Sequence, residues 1–218
     1  LNRFNIEYPL ILNNADDYDQ VILVDASDLN GLEGKIDPEK VIEIIDHRKI
    51  HEAEKFPNAK TQIEMVGAAA TLVAEKFINE NIPISQNSAI LLYGAIVSNT
   101  LNFKNTTNTQ RDIDIANWLK DQAKLDDNFW KELFIAKSDL TGKKLQDRMD
   151  SEIANFDFGG KRLGIVQLEI IGARELVKNR EEEILEKLEE IKKELNLDLI
   201  FLTIPDLELE INIFVTNN

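Results

Sequence analysis

Two short apolar segments near the start of the chain predict buried strands. Val21–Val24 and residues 41–45 are rich in β-branched side chains and are bounded by polar residues. Such runs are typical of parallel strands in a sheet that is covered on both faces. Asp25 follows the first run, and Asp46 and His47 follow the second. Because the carboxyl ends of parallel strands meet at one edge of a sheet, we expect neighbouring strands with Asp25 and His47 at the same edge.

Three later segments of the first half have the composition of helices. Residues 68–78 are strong helix formers, and Pro83 follows them as a helix breaker. Residues 88–97 predict a buried helix that leads into a loop at residues 98–100, although their pattern alone also allows a strand. Residues 110–135 repeat apolar side chains at helical spacing. The first half therefore predicts an α/β domain built on a parallel sheet.

A polar stretch that contains Gly142 follows Lys137 and indicates a domain boundary, after which a new series of strand and helix patterns begins. Beyond it the sequence predicts a strand at 162–170, a charged amphipathic helix at 174–195, and strands at 197–204 and 209–215. We therefore expect an α/β fold with two domains, the first at 1–137 and a smaller α/β domain at 138–218.

Composition narrows the classes of protein. Hydrophobic residues make up 43% of the 218 residues and charged residues 30%, which is typical of a globular protein with a proper core. No apolar stretch approaches the ~20 residues that span a bilayer, so we expect no membrane partner and a cytoplasmic location. The first residues do not resemble a signal peptide. Since they also lack an initiator Met, we expect the chain to be a fragment of a longer protein.

Charge and residue usage also restrict the chemistry. The chain has no Cys, two His and a formal net charge of -15. Without thiolates, a bound metal must be held by carboxylates and histidines, a donor set that suits Mn²⁺ or Mg²⁺. Nucleic-acid binding normally needs a basic face, and the sequence offers none. We therefore expect a small-molecule partner and no nucleic acid.

Three segments contain residues that could carry chemistry. Asp25 stands at a predicted strand end, Asp46-His47-Arg48 joins a carboxylate, an imidazole and a guanidinium, and Asn99 lies in a small-residue segment after Gly94. Each is weak alone, because an Asp at a strand end is often a turn former and a single His is more often structural than a ligand. Their order along a parallel sheet is more informative than any one of them.

Together these segments resemble the DHH superfamily of phosphoesterases, closest to its manganese pyrophosphatase, exopolyphosphatase and prune branch. In that superfamily a strand-ending Asp, an Asp-His-His triplet and a Gly-Ile-x-x-Asp-Thr segment follow one another. They are matched here by Leu23-Val24-Asp25, Asp46-His47-Arg48 and Gly94-Ala95-Ile96-Val97-Ser98-Asn99-Thr100. The tail at residues 101–104 and the segment at 66–71 are similar to this branch in particular. Residues from about 138 resemble its DHH-associated C-terminal domain, a substrate-binding lid.

The resemblance implies a divalent-metal-dependent hydrolase of pyrophosphate or short polyphosphate. It implies Mn²⁺ or Mg²⁺ in a two-metal site of the complete protein, with Asp25, His47 and Asn99 as metal ligands. Asp46 and Arg48 would be catalytic, and phosphate would be bound by Arg48, Lys104, Lys161 and Arg162. For Lys161 and Arg162 a solvated hairpin is the competing interpretation. Assembly into a homodimer is a further alternative that the sequence leaves open.

Several departures from the family pattern favour a second interpretation. The family's first metal-binding motif should precede Leu1 and is not in this chain, and the lid domain ends before the family's last basic segment. Asn99 replaces a carboxylate, Arg48 replaces a second His, and Ala154 replaces a Lys. We therefore expect the 218-residue chain to be weakly active. The alternative is a catalytically degenerate homologue that acts as a binding or interaction module.

Overall fold

The computed structural model describes residues 1–216 and divides the chain into two compact units, Leu1–Trp130 and Lys131–Asn218. The division falls within the helix Phe129–Lys137, before the expected boundary at 137/138. Within the described residues, no helix is both long enough and apolar enough to cross a membrane.

A three-stranded parallel sheet forms the base of the first unit. Its strands are β1 (Val21–Val24), β2 (Val41–Asp46) and β3 (Lys60–Ile63), in the order β1-β2-β3. The first two strands confirm the strands predicted from the apolar runs, but the expected burial is wrong for β1, an edge strand in which Ile22 is 52% and Val24 48% exposed. The third was missed because Lys60-Thr-Gln-Ile63 has only one apolar residue. Ile44 and Ile45 of β2 are 0% and 4% exposed and pack into separate clusters, which shows that both faces of this central strand are covered.

Four helices follow the sheet: α1 (Ala69–Asn79), α2 (Gln86–Asn99), α3 (Gln110–Ala123) and α4 (Phe129–Lys137). The helical interpretation of residues 88–97 is confirmed, but α2 continues through Asn99, so the loop expected at residues 98–100 begins later. The single helix expected over 110–135 is two helices, because Lys124 ends α3 in the left-handed conformation.

The second unit contains a mixed four-stranded sheet. Helix α5 (Lys144–Ser151) precedes the β4–β5 hairpin (Ile153–Phe158 and Lys161–Gln167), and α6 (Ala173–Glu194) leads to β6 (Leu199–Asp206) and β7 (Ile211–Thr216). Strands β5 and β6 are parallel, and the two outer pairs are antiparallel. The predicted helix and the three predicted strands are present with shifted ends, whereas α5 and β4 were not expected. The two sheets together confirm the α/β fold class.

A buried carboxylate fixes the helices of the first unit around the loop at residues 66–68. Asp112 of α3 is 0% exposed and accepts hydrogen bonds from the Gly67 amide (2.8 Å), the Thr71 hydroxyl (2.6 Å) and the Thr109 amide and hydroxyl (2.7 and 2.8 Å). Burial alone would raise the pKa of Asp112, but these hydrogen bonds lower it below its usual value. The ionised carboxylate therefore joins α1, α3 and the loop.

Replacing Asp112 by Asn should lower the free energy of unfolding by about 2–3 kcal/mol at neutral pH. The NH₂ group of Asn would face N–H and O–H groups that need an acceptor, so some of these hydrogen bonds would be lost. The folded-state pKa of Asp112 lies below its unfolded value, so its contribution is present above that unfolded value and is lost as the pH falls through the folded-state pKa. Urea unfolding should show the two proteins converging in acid. Asp114→Asn, at an exposed position of the same helix, is the control and should change little. Equal effects of both substitutions would contradict this role.

Candidate metal centre

Asp25 and His47 meet at the carboxyl ends of β1 and β2, as the sequence predicts. The distance from Asp25 Oδ1 to His47 Nε2 is 3.3 Å. Asp25 has a positive φ of 59°, a conformation that Asp tolerates better than most residues, and its amide donates to the carbonyl of Ile45 (2.9 Å). The turn directly after β1 therefore brings the carboxylate beside the imidazole.

The His47 ring is fixed by its other nitrogen. Nδ1 lies 2.9 Å from the carbonyl oxygen of Val66. Since a carbonyl oxygen only accepts, Nδ1 carries a hydrogen, which leaves Nε2 to donate to Asp25 when the ring is protonated and to offer its lone pair to a cation when the ring is neutral. Hydrogen bonding to Asp25 raises the pKa of His47, with burial opposing it and the Val66 carbonyl adding to it. This is the orientation that metal-binding histidines usually have.

Asn99, the last residue of α2, adds an amide to the same edge. Its Nδ2 donates to the carbonyl of Gly67 (3.2 Å) and lies 3.5 Å from His47 Nε2. Because the nitrogen faces a carbonyl, the side-chain oxygen is left as the group available to a cation. Asp25 and Asn99 also line an open groove of about 470 Å³, whose other walls are mostly apolar side chains of β1, α1 and α2, such as Ala69 and Leu91.

Asp46 lies beneath this pair and is fully buried. Its carboxylate accepts hydrogen bonds from the Ser27 hydroxyl, from the amides of His47 (2.7 Å) and Arg48 (3.2 Å), and from Arg48 Nε (2.9 Å). Burial would raise the pKa of Asp46, but the hydrogen bonds lower it below its usual value. Ligand atoms of Asp25, Asp46 and His47 lie within 4.8 Å of one another. With four donors already on about four lone-pair positions, Asp46 is better suited to orienting its neighbours than to coordinating an ion.

Arg48 is held at the rim of the cluster. Its Nε donates to Asp46 and its Nη1 donates to Asp28 Oδ2 (3.1 Å), while the side chain remains 39% exposed. The sequence did not single out Ser27 or Asp28 for a role. Their only signal was their position in the polar loop directly after Asp25.

For Lys104 and Arg162, two of the three other predicted phosphate-binding residues, the contacts seen are with residues other than those of this cluster. Lys104 follows three consecutive positive-φ residues, 101–103, and its Nζ lies 6.0 Å from the Trp130 ring centre. Lys161 begins β5 and is exposed. Arg162 is hydrogen-bonded within the second unit: its amide donates to Asp198 (2.7 Å) and its Nη1 donates to the carbonyl of Asn196 (3.3 Å). Their phosphate contacts stay predictions.

Comparison with known proteins assigns both parts of the chain to one group. Residues 131–217 match the model of the DHHA2 domain. The chain is 33% identical over 207 residues to the manganese-dependent inorganic pyrophosphatase of Methanothrix thermoacetophila, covering 94% of this chain and 66% of the relative. It is 31% identical over 209 residues to a protein assigned the same activity in Bacillus velezensis, covering 95% and 67%. The chain thus spans about two thirds of the length of these relatives.

A solved structure agrees. A Methanococcus jannaschii protein assigned to the family II inorganic pyrophosphatases superposes with a TM-score of 0.76 at 31% identity. The match covers 99% of this chain and 74% of that one.

Gly67 is predicted to be irreplaceable at this site. A Cβ there would lie 2.6 Å from Thr100 Cγ2 and 3.1 Å from Asn108 Cα, so Gly67→Ala must displace the loop that carries the His47 and Asn99 acceptors. We expect a loss of about 1–3 kcal/mol in the free energy of unfolding. Gly94→Ala is a matched control, because its Cβ would meet nothing within 4 Å and Ala favours the helix. Thermal unfolding measures both, and a stabilised Gly67→Ala variant would contradict the packing argument.

Proposed function

Because this chain belongs to the manganese-dependent inorganic pyrophosphatases, the family II members of the DHH superfamily, we propose that it hydrolyses a phosphoanhydride bond with a divalent metal ion. Pyrophosphate and short polyphosphate are the proposed substrates, and the proposed location is the cytoplasm. The observation that carries the proposal is the contact between Asp25 and His47, with Asn99 beside them, at the edge of the parallel sheet.

The residues at this edge fit a divalent ion such as Mn²⁺. Asp25 offers a 58% exposed carboxylate, and His47 offers an Nε2 lone pair 3.3 Å from it, close enough for both atoms to reach one ion. Asn99 would contribute its amide oxygen. Oxygen and imidazole donors of this kind suit Mn²⁺ and Mg²⁺. When bound, the metal would lower the pKa of water and neutralise charge on phosphate oxygens.

The protein's own groups would bind and orient the substrate. Arg48 would donate hydrogen bonds to a phosphate from the guanidinium that Asp46 and Asp28 hold in place. Asp46 would hold the backbone of His47 and Arg48 in place by accepting hydrogen bonds from their amides. Additional phosphate contacts from Lys104, Lys161 and Arg162 remain part of the proposal.

One observation favours a second candidate function, a degenerate homologue that binds its ligand without turnover. Asn99 is a neutral amide at the family's carboxylate position, and its nitrogen is already engaged by Gly67. A neutral ligand holds a cation more weakly than a carboxylate does. Phosphate release from pyrophosphate, tripolyphosphate and a phosphomonoester, with and without Mn²⁺, distinguishes the candidates. Mn²⁺-dependent release from the anhydrides supports the hydrolase, and binding without release supports the alternative.

His47→Gln should weaken Mn²⁺ binding by at least about 10-fold, because it removes a ligand that Val66 orients. His51→Gln is the matched control, since His51 is exposed and is the chain's other histidine. Calorimetric titration with Mn²⁺ gives the affinities directly, and phosphate release should fall in parallel. Equal affinities for the two variants would place the metal elsewhere.

Asn99→Asp should tighten Mn²⁺ binding by about 10-fold and increase phosphate release, since it restores a charged ligand. Without metal the same change should lower the melting temperature, because a carboxylate oxygen would then face the Gly67 carbonyl now 3.2 Å from the amide nitrogen. Asn87→Asp, in the exposed first turn of the same helix, controls for the added charge. If Asn99→Asp leaves both metal affinity and turnover unchanged, Asn99 is not a ligand.

A further inference from the structure

Arg48 is anchored at two of its three guanidinium nitrogens. Nε donates to Asp46 Oδ2 at 2.9 Å, and Nη1 donates to Asp28 Oδ2 at 3.1 Å. The two acceptors come from different segments, Asp46 from the end of β2 and Asp28 from the loop after β1. Two hydrogen bonds to separate acceptors fix the plane of the guanidinium, not only the place of its charge.

The anchors leave part of the guanidinium available. Of its five N–H groups, the contacts to Asp46 and Asp28 use two. Nη2 makes no hydrogen bond within residues 1–216, and the side chain is 39% exposed. Three N–H groups, two on Nη2 and one on Nη1, therefore remain for a ligand, and a guanidinium can bind phosphate oxygens with such groups.

The net charge of Arg48, Asp28 and Asp46 shows how this group can contribute to binding an anion. Two carboxylates outweigh one guanidinium, so the trio has a net negative charge and does not attract an anion by its field. Its contribution to binding must come from directed hydrogen bonds, which depend on the orientation of Arg48. Asp28 is 24% exposed and Arg48 39%, and an ion pair this accessible adds little to stability. Stability alone therefore gives a weak reason for Asp28.

We propose that Asp28 is a positioning residue that, with Asp46, holds Arg48 as a rigid two-pronged site for a phosphate group of the substrate. This inference rests on the proposed function, which gives the chemical class of the ligand as a phosphoanhydride. Asp28 contacts Arg48 and need not contact the substrate.

A double-mutant cycle tests this role in the full-length protein. Binding of imidodiphosphate, a pyrophosphate analogue that resists hydrolysis, is measured by calorimetry at fixed Mn²⁺ for the wild type, Arg48→Lys, Asp28→Ala and the double variant. Lys keeps the charge but lacks the planar guanidinium, so Arg48→Lys should weaken binding by about 10-fold. In the Asp28→Ala background the same change should weaken it by less than about 2-fold, because Arg48 Nη1 has already lost its acceptor. Asp127→Ala, which removes an exposed ion-paired carboxylate of the same unit, is the control and should bind as the wild type does.

Two results would overturn the proposal. One is an equal loss from Arg48→Lys in both backgrounds, which is what a structural Asp28 gives. The other is wild-type protein that does not bind imidodiphosphate. Asp28→Glu should restore the dependence on Arg48, and the urea midpoints of all variants should agree. Coupled binding without hydrolysis of pyrophosphate would support the positioning role while rejecting the proposed enzymatic function.

Discussion

The candidate site depends on one buried charge. Asp46 is 0% exposed at the end of β2, and an ionised carboxylate in that position is tolerated only if its oxygens are hydrogen-bonded. The chain meets this requirement with the Ser27 hydroxyl, two successive backbone amides and Arg48 Nε. These bonds bring the loop after β1 against the loop after β2. His47 and Arg48, two of the groups that could contact a ligand, are thereby held by a carboxylate that need not touch it.

A second buried carboxylate does the same from the other side. Asp112 binds the amide of Gly67, and the carbonyls of Val66 and Gly67 accept from His47 and Asn99. The path from α3 to the imidazole therefore runs from the Asp112 carboxylate through a single peptide group, Val66–Gly67, whose N–H binds Asp112 and whose carbonyl accepts from His47. Gly67 allows it because the Thr100 methyl group and the Asn108 backbone occupy the space that a Cβ would need. Helix packing in this unit is thus linked directly to the orientation of the His47 lone pair.

The sequence predicted the parts of this site that local pattern encodes. Two β-branched runs were sufficient for β1, β2 and their parallel pairing, and hence for the meeting of Asp25 and His47. Strand β3 was missed because Lys60-Thr-Gln-Ile63 lacks an apolar run, and its pairing with β2 is a tertiary effect. The link from Asp28 to Arg48 and the link from Asp112 to Gly67 could not be predicted, because these partners lie 20 and 45 residues away. Asn99 was placed in a loop because the helical pattern of α2 weakens at its polar end. The resemblance to a family supplied the ligand roles, which spacing alone left open.

Charge balance suggests what these residues can hold by themselves. Around His47 stand three carboxylates, Asp25, Asp28 and Asp46, and one guanidinium, Arg48. With His47 neutral, this group carries two negative charges, which one divalent ion would offset. Asn99 leaves that balance unchanged, whereas an Asp there would add a third negative charge and favour a second cation. Only Asp25 among the three carboxylates is free of the Arg48 ion pairs and largely exposed. Stable binding of two ions would therefore require further carboxylates beyond this cluster, so the residue at position 99 and the number of cations held are physically linked.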